Sequence, residues 1–187
     1  ANSIRDFMRE HKLKSVIELG CGSGHVAKEL GEEVKYTGYD GSGLMIKFAR
    51  EKNPGCNFEV LNIRNLPNAT IKADLVCSFA VLKHFSLNDW KGVLKKMLSV
   101  GNYALIQVQV RNMNQPSVED GTEVHHTWVN EKELLDVVKE AGHDLMYLRL
   151  TGKDVSAYMS DAYEALLITK KEVVSYDQGG AMYNSRS

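Results

Sequence analysis

A glycine-rich turn between an apolar run and a helix-like segment constrains the fold of this chain more than any other feature. Ser15–Leu19 is a compact apolar run with one acid, Gly20, Gly22 and Gly24 follow at alternate positions, and His25–Leu30 has helical character. Such a turn lets the backbone approach a ligand closely and presents the first amides of the helix to it. The turn therefore predicts an α/β fold with a ligand-binding loop at the end of its first strand.

Strand-like and helix-like segments alternate along most of the chain. The strand candidates are residues 15–19, 34–39, 57–61, 74–79, 103–110, 145–150 and 163–169. Helical spacing is clearest from Trp90 to Leu98, after Ser86 and Asp89 at capping-box spacing, and a second cap pair is Asn130 with Glu133. The alternation predicts a parallel sheet, and the short last connection predicts an antiparallel pair. We predict a seven-stranded, mostly parallel sheet with an antiparallel last strand and helices on both faces.

Length and composition bound the class of protein. The 187 residues suit one domain, which we place at 1–174, with a mobile C-terminal tail at 175–187. A formal net charge of −1 disfavours bulk nucleic acid as the main partner, and no apolar run is long enough for a membrane span. Cys21, Cys56 and Cys77 form no CxxC pair, so reduced thiols and a cytoplasmic location are predicted.

The spacing of the glycines separates two classes of nucleotide-binding fold. Dehydrogenases require G-x-G-x-x-G, and here His25 takes the third position, where a side chain obstructs close helix–strand packing. A nicotinamide-dependent oxidoreductase is therefore disfavoured. Asp40 ends the second strand about 20 residues after the loop, where a carboxylate can accept hydrogen bonds from two ribose hydroxyls. A cap or turn role for Asp40 stays open, because Gly41 follows it.

The loop from Val16 to Gly24, with Glu18 in it, resembles motif I of the class I, Rossmann-like methyltransferases that use S-adenosylmethionine, in particular small-molecule methyltransferases. The resemblance continues through residues 58–67 and 73–85 and covers roughly residues 14–170. It implies the class I methyltransferase fold and S-adenosylmethionine as cofactor. The cofactor-binding residues it implies are Glu18, Gly20, Cys21, Gly22, Gly24, Asp40, Gly41, Asn62, Ile63, Phe79 and Ala80.

Each part of the cofactor has a counterpart in this resemblance. Glu18 would hold the methionine ammonium group, and the glycine backbone would lie along the methionine portion and the ribose. Asn62 and the amide of Ile63 would meet the adenine edge, although the family often has Asp at the first position and a turn role for Asn62 stays open. Phe79 and Ala80 would lie against the methionine end.

The acceptor is expected over the carboxyl ends of strands four and five. We predict His84 and His126 as candidate catalytic residues, although a lone histidine is more often structural. Relatives often have two histidines here, and Lys83 replaces the first. The candidate substrate residues are Lys83, His84, Arg111, His125 and Trp128. The histidines lack regular ligand spacing, so no metal site is predicted.

The predicted activity is methyl transfer to an O, N or C acceptor by in-line displacement, driven by positioning. The motifs that characterise DNA, catechol and arginine methyltransferases are missing from the sequence. A small molecule is therefore favoured as the methyl acceptor, and nucleic acid is disfavoured. The alternatives are a peptide, protein or RNA acceptor, or a non-catalytic scaffold or activator subunit. About a dozen residues precede strand one, which predicts a short N-terminal lid and leaves two alternatives, an open active site or a trimmed terminus. A homo-oligomer or a partner subunit that completes the site is left open.

Overall fold

The computed structural model of the chain describes residues 4–31, 33–66, 71–120, 126–150, 162–172, 175–176 and 182–183. Its helices are α1 (Ile4–Glu10), α2 (His25–Leu30), α3 (Gly43–Lys52), α4 (Trp90–Val100) and α5 (Glu131–Glu140). Its strands are β1 (Ser15–Leu19), β2 (Lys35–Asp40), β3 (Asn57–Val60), β4 (Ala73–Ser78), β5 (Gly101–Arg111), β6 (Val118–Asp120), β7 (His126–Asn130), β8 (His143–Leu150), β9 (Ala162–Lys171), β10 (Ser175–Tyr176) and β11 (Met182–Tyr183). Short 3₁₀ turns span Ile63–Asn65 and Leu82–His84.

Nine strands of the described part of the chain form one sheet. Strands β3, β2, β1, β4 and β5 are parallel neighbours in that order, β9 pairs antiparallel with β5, and β8 pairs antiparallel with β9. These seven strands confirm the predicted mostly parallel sheet with its antiparallel last strand. The architecture is that of the class I methyltransferase fold.

The segment between β5 and α5 contains two strands that are not among the strands predicted from the sequence. There, β6 and β7 form an antiparallel hairpin, and β7 runs parallel to the end of β5 at Val110 and Arg111. Thr127 of β7 donates a hydrogen bond from Oγ1 to the carbonyl oxygen of Phe85, at 2.6 Å. The hairpin thus depends on a contact with the chain after β4, which local sequence patterns do not reveal.

Helices cover both faces of the sheet, as predicted. One core cluster joins α1, α2 and α3 to one face, with Phe7, Ala27 and Ile46 buried against residues such as Leu75 and Leu105. A second cluster joins α4 and α5 to the opposite face through side chains such as Leu94, Met97, Leu134 and Val138. The apolar stripe predicted from Trp90 onward is fully buried there.

Helix α1 does not form the short lid that the sequence predicts. Its Phe7 and Met8 are buried, and the Phe7 ring meets the Tyr103 ring edge-on with 5.8 Å between centroids. Tyr103 pairs with Leu75 near the start of β4. Because its apolar side chains are buried in the core, the helix packs on the amino-terminal half of the sheet, whereas the glycine turn follows the carboxyl end of β1.

The two predicted helix caps have different outcomes. Asn130 caps α5, since its Oδ1 accepts a hydrogen bond from Glu133 N at 3.1 Å. Helix α4 begins at Trp90 with Asp89 as its N-cap and without a side-chain cap bond. The Asp89 carboxylate pairs with Arg64 at 2.9 Å and also hydrogen-bonds the Ser86 side chain, so the two predicted residues are in contact, but Asp89 rather than Ser86 is the N-cap.

The predicted C-terminal tail is described at two short strands. Residues of β10 pair antiparallel with those of β11 and not with the main sheet. Mobility of this segment stays a prediction. Among the described helices, none combines the length and the apolar composition that crossing a bilayer requires.

Candidate functional site

The ends of β1 and β2 hold the glycine turn in place through backbone hydrogen bonds. The amides of Gly20 and Cys21 both donate to the carbonyl oxygen of Tyr39, at 2.7 and 3.0 Å. The next amide, that of Gly22, donates to Oδ2 of Asp40 at 2.9 Å. The turn and the acid that ends β2 therefore form one unit, although 18 residues separate Gly22 from Asp40.

Two glycines in the turn are required for different reasons. Gly20 has φ +79°, and a Cβ placed there would lie 2.2 Å from Cγ2 of Val81, so the chain after β4 fills that space. Gly22 has φ +51°, and a Cβ there would meet no protein atom within 4 Å. A left-handed backbone that faces open space leaves a cradle for a ligand. The residues therefore fit the nucleotide-like cofactor that the sequence implies.

Glu18 is an acid in a core position of β1. Its side chain is only 4% exposed, and it accepts a hydrogen bond from the Tyr36 hydroxyl on β2. Burial raises the pKa of Glu18 to about 7, while the Tyr36 hydrogen bond lowers that pKa and the charge of Asp40 raises it. Gly38 leaves room for this pair, because a Cβ there would lie 2.8 Å from the Tyr36 hydroxyl. A cationic ligand group would offset the burial of this carboxylate.

Burial also raises the pKa of the neighbouring Cys21 thiol to about 12, and the charges of Glu18 and Asp40 add to that effect. The thiol is 4% exposed, and its hydrogen-bond contact is to the Gly22 carbonyl at 3.8 Å. Cys21 therefore contributes backbone and packing to the turn rather than a nucleophile.

Asp40 has the turn role that the sequence left open, and its geometry is compatible with the ribose-binding role, which stays a prediction. Its Oδ2 accepts from Gly22 N, and its Oδ1 accepts from Ser42 N at 2.8 Å, so it stabilises both the glycine turn and the start of α3. An ionised carboxylate has about four acceptor positions, so each oxygen retains one for a ligand hydroxyl. Beside it, a Cβ on Gly41 would meet nothing within 4 Å, which leaves the approach to Asp40 open.

Asn62 and Ile63 follow β3 at the edge of the same region. The exposed Asn62 caps a 3₁₀ turn, with Oδ1 accepting from Arg64 N at 3.0 Å. This confirms its turn role and uses one acceptor position of the amide that was predicted to bind adenine. Ile63 is buried and begins the turn, so the turn itself does not need its N–H.

Two apolar side chains near this edge were not predicted from the sequence. Leu44 and Met45 stand in the first turn of α3, directly after Asp40 and its loop, and are 59% and 38% exposed. Exposed apolar groups beside a cradle can cover a flat aromatic ring. The sequence feature that could have indicated them is the pair of adjacent apolar residues in the first turn of α3, where exposed positions are usually polar.

Phe79 and Ala80 end the β4 segment as predicted, next to the glycine turn. Ser78 donates from Oγ to the carbonyl oxygen of Leu19 at 2.8 Å and so links the ends of β4 and β1. Phe79 is half-buried on the face that carries α1 to α3. Ala80 is exposed and has φ +56°, a conformation that a residue with a side chain rarely adopts. Such strain often accompanies functional sites.

Two of the predicted acceptor-side histidines come together. The exposed ring of His84 lies 5.7 Å, centroid to centroid, from the half-buried ring of His126. The hydrogen bond from Thr127 to Phe85 holds the two chain segments in this arrangement. Lys83 precedes His84 and is half-buried.

The other acceptor-side candidates are placed differently. Arg111 donates from Nη1 to the Pro116 carbonyl at 3.1 Å and so contacts the loop after β5. Trp128 is 4% exposed, which makes it a buried residue of the hairpin rather than the wall of an open cleft. His125 lies outside the described residues. Within the part of the chain described here, no group of three or more metal-ligating side chains is close enough to hold an ion.

Comparisons with known proteins agree with this geometry. The sequence profile of a methyltransferase domain matches residues 16–102. Putative methyltransferase 235L of Invertebrate iridescent virus 6 is 39% identical over 86 residues, 43% of this chain and 32% of that protein. The tRNA (carboxymethyluridine(34)-5-O)-methyltransferase of Saccharomyces cerevisiae is 33% identical over 110 residues, 55% of this chain and 38% of that protein. The alignments thus span about a third of the length of these two curated relatives.

A solved structure gives the same picture over a longer stretch. Magnesium protoporphyrin IX methyltransferase from Synechocystis PCC 6803, with bound S-adenosylhomocysteine, superposes with a TM-score of 0.69 at 14% identity, over 90% of this chain and 80% of that one. At this identity the likeness concerns the fold. The chain is thus similar in sequence to a methyltransferase domain over residues 16–102, and over most of its length it has the fold of this S-adenosylhomocysteine-bound methyltransferase.

Proposed function

We propose that the protein transfers the methyl group of S-adenosylmethionine to an O, N or C atom of an acceptor, for which a small molecule is the favoured class. The observation that carries the proposal is the open cradle at Gly22, whose amide donates to the Asp40 carboxylate and which follows the buried Glu18 by four residues. A buried acid and a backbone that faces open space match a ligand with a cationic amino acid end. S-adenosylmethionine supplies a methyl group that is already activated for transfer.

The residues of this chain would bind and orient the two reactants. Glu18 would pair with the methionine ammonium group and Asp40 with the ribose hydroxyls, while Asn62, the Ile63 amide and the apolar Leu44 and Met45 would surround the base. Placing the acceptor atom in line with the methyl group, away from water, is the main contribution that a protein makes to this reaction.

The His84–His126 pair supports a role for a base on the acceptor side. A proton acceptor is needed only where the attacking atom carries a proton at neutral pH. The exposed His84 ring lies beyond Ala80, at the end of β4 where the acceptor is expected. If either imidazole takes this proton, we expect replacement of His84 or His126 by Gln to lower kcat by about 10²-fold or more without changing cofactor affinity.

An RNA acceptor is the second candidate. It is favoured by the name of the yeast relative, a tRNA methyltransferase, and by a probable tRNA methyltransferase of Homo sapiens that is 36% identical over 84 residues. The balanced charge of the chain, −1 overall, favours the small molecule. A scaffold or activator role remains the non-catalytic alternative, and a partner subunit or homo-oligomer belongs to the same proposal.

Calorimetry tests the cofactor half of the proposal. We expect S-adenosylmethionine and S-adenosylhomocysteine to bind, and Asp40→Ala to abolish the heat because it removes both the ribose acceptor and the support of Gly22. Asp136→Ala is the matched control, because that exposed aspartate pairs with Lys132 on α5, away from the glycine turn. Equal binding by Asp40→Ala, or no heat with the wild-type protein, would contradict the proposal.

Transfer of a radiolabelled methyl group tests the acceptor half. The protein is incubated with labelled S-adenosylmethionine and, separately, with a small-metabolite extract and with total small RNA. Label in the metabolite fraction supports the favoured class, and label in RNA replaces it with the second candidate. Cofactor binding with no transfer to either fraction, or to protein, would support the scaffold role instead.

A cytoplasmic location is part of the same proposal. Cys21, Cys56 and Cys77 are free thiols, and the first and third are buried. Unpaired thiols are typical of reducing compartments. Reversible disulfide formation in the isolated protein would weaken this argument.

A further inference from the structure

A polar cluster lies at the carboxyl end of β5, next to Phe79. Strand β4 stops pairing with β5 at Ser78 and Ile106, whereas β9 continues along β5 as far as Arg111. Phe79 follows Ser78 and Gln107 follows Ile106, so Phe79 leaves the sheet beside Gln107. The cluster consists of Gln107 and Gln109 on β5 and Glu164 on β9, which is opposite Gln109 in the register.

The cluster lies on the face of the sheet that holds the glycine turn. Side chains alternate between the two faces along a strand, so Gln107 and Gln109 share the face of Leu105. Leu105 packs in the core of α1, α2 and α3, and Phe79 packs against the same core. The cluster and Phe79 thus border the place where we propose that the acceptor meets the methyl group.

Both glutamine amides donate to one carboxylate. Nε2 of Gln107 lies 3.2 Å from Oε2 of Glu164, and Nε2 of Gln109 lies 3.0 Å from Oε1 of Glu164. These bonds fix the amide orientation of Gln109, because the reverse orientation would place its oxygen against a carboxylate oxygen. The Oε1 atom of Gln109 therefore points elsewhere.

That oxygen is a buried acceptor without a donor. Gln109 is 3% exposed, and its Oε1 has no hydrogen-bond partner. Leaving a carbonyl buried and unbonded costs about 1–3 kcal/mol, so native proteins keep few such atoms and often keep them for a ligand or water. Glu164 and Gln107, which contact Gln109 or lie beside it, are only half-buried, so the cluster as a whole reaches the surface.

The charge of the cluster specifies its ligand further. None of the ion pairs found among the described residues involves Glu164. Its carboxylate is hydrogen-bonded to two neutral amides, those of Gln107 and Gln109. The cluster offers a carboxylate and a carbonyl oxygen, both acceptors, while Arg111, the next residue on this face of β5, donates to the Pro116 carbonyl. A positively charged nitrogen group with at least two N–H donors complements both features.

We propose that Gln107, Gln109 and Glu164 form a subsite that binds an amino or guanidino group of the methyl acceptor. The inference rests on the proposed methyl transfer, and it adds a chemical class: the acceptor is a small molecule that carries an amine or a guanidine. One N–H donates to Gln109 Oε1 and another to the Glu164 carboxylate, which anchors the acceptor beside Phe79.

Nuclear magnetic resonance of the protein saturated with S-adenosylhomocysteine tests this subsite without a known acceptor. Methylguanidinium and methylammonium are the probes, and tetramethylammonium is the matched ion that has the charge but no N–H donor. We expect the first two to shift the side-chain amide signals of Gln107 and Gln109, and tetramethylammonium to leave them unchanged. Equal shifts with all three ions, or none with the N–H donors, would overturn the proposal.

Two variants and a control identify the residues. Because a hydrogen bond to a charged group contributes about 1.5–3 kcal/mol, Gln109→Leu and Glu164→Gln should each weaken binding of methylguanidinium by about tenfold or more. Glu164→Gln keeps the shape of the side chain, so it remains informative if Gln109→Leu folds poorly. Glu172→Gln makes the same charge change at an exposed position just after β9 and should have no effect.

Cofactor affinity separates this inference from the proposed function. All three variants should bind S-adenosylhomocysteine like the wild-type protein. A wild-type protein that binds no cofactor contradicts the proposed function. Normal cofactor binding with no response of the glutamine amides to methylguanidinium contradicts the subsite alone, and equal weakening by Glu172→Gln shows a general charge effect and also contradicts it.

Discussion

Glu18 and Tyr36 form the pair in which a single hydrogen bond should control cofactor binding. The pKa of Glu18 is about 7, and the Tyr36 hydrogen bond is what lowers it against burial. Since the ionised form would hold the cofactor ammonium group, we expect affinity for S-adenosylmethionine to rise as the pH passes 7. Tyr36→Phe removes the hydrogen bond and should move the midpoint of this rise to higher pH, as measured by calorimetry between pH 5.5 and 9.

The pH profile distinguishes this positioning role from a purely structural one. Tyr147→Phe removes a hydroxyl from a tyrosine that is 65% exposed and should leave the midpoint in place. A Tyr36→Phe protein that binds more weakly at every pH, with an unchanged midpoint, would mean that Tyr36 only packs against its neighbours. Its ring does contact Phe58 edge-on, at 5.6 Å between centroids, so some loss of packing is measured separately by urea unfolding.

The same carboxyl should destabilise the cofactor-free protein at neutral pH. Its pKa is raised from 4.5 to about 7 by folding, so the folded state retains a proton that the unfolded chain releases. Stability from this group is therefore lost as the pH rises from about 4.5 to about 7. Glu18→Gln removes the effect and should raise the free energy of unfolding by about 2 kcal/mol more at pH 8 than at pH 5. The variant should also lose cofactor binding; a gain that is equal at both pH values would refute the ionisation argument.

The β6–β7 hairpin should depend on its contact with the segment after β4. Thr127 donates to Phe85 in a buried position, so Thr127→Val keeps the side-chain shape but leaves that carbonyl unbonded. We expect a loss of about 1–3 kcal/mol in urea unfolding. Ser99→Ala is the control: Ser99 also donates from Oγ to a carbonyl, that of Lys96 at 2.7 Å, but within helix α4, where the effect should be small.

Cofactor affinity and turnover then locate the effect within the site. Because β7 carries His126, loosening the hairpin should reduce methyl transfer while the glycine turn still binds S-adenosylmethionine normally. Equal stability of Thr127→Val and the wild-type protein would show that other contacts hold the hairpin.

Elements that follow local patterns could be predicted, and elements that depend on distant contacts could not. Strands β1 to β5, β8 and β9 were recognisable because apolar runs, glycines and helix-like spacing are local signals. Strand β6 has three residues and β7 five, and their position depends on pairing with the end of β5 and on the Thr127 bond. The position of α1 likewise depends on tertiary contacts, because the helix packs on Tyr103 rather than over the site.

The residues of the site also fall into those that could be predicted from the sequence and those that depend on the fold of the whole molecule. Glu18, Gly22 and Asp40 were predictable because a strand, a turn and a second strand place them in order along the chain. Tyr36, Gln107, Gln109 and Glu164 gave no signal, because a polar residue in a strand acquires meaning only once the register is known. Gln109 lies 55 residues from Glu164 in the chain, and only the antiparallel pairing of β5 with β9 brings them together.

One buried and one half-exposed thiol allow the stability of the whole molecule to be linked to the cofactor. Cys77 is fully buried in β4, and burial raises its pKa well above the usual value, whereas Cys56 is half-exposed. We expect a thiol-specific reagent at pH 7 to label Cys56 quickly and Cys77 only through unfolding, as followed by mass spectrometry of peptides. A ligand that binds only the folded state lowers the unfolded fraction by the factor 1 + [L]/Kd, about 100-fold at 100 times Kd. S-adenosylhomocysteine at that concentration should therefore slow labelling of Cys77 about 100-fold and leave Cys56 unchanged. Labelling of Cys77 that is as fast as that of Cys56, or that ignores a ligand shown by calorimetry to bind, would mean that the sheet opens locally at β4 without global unfolding.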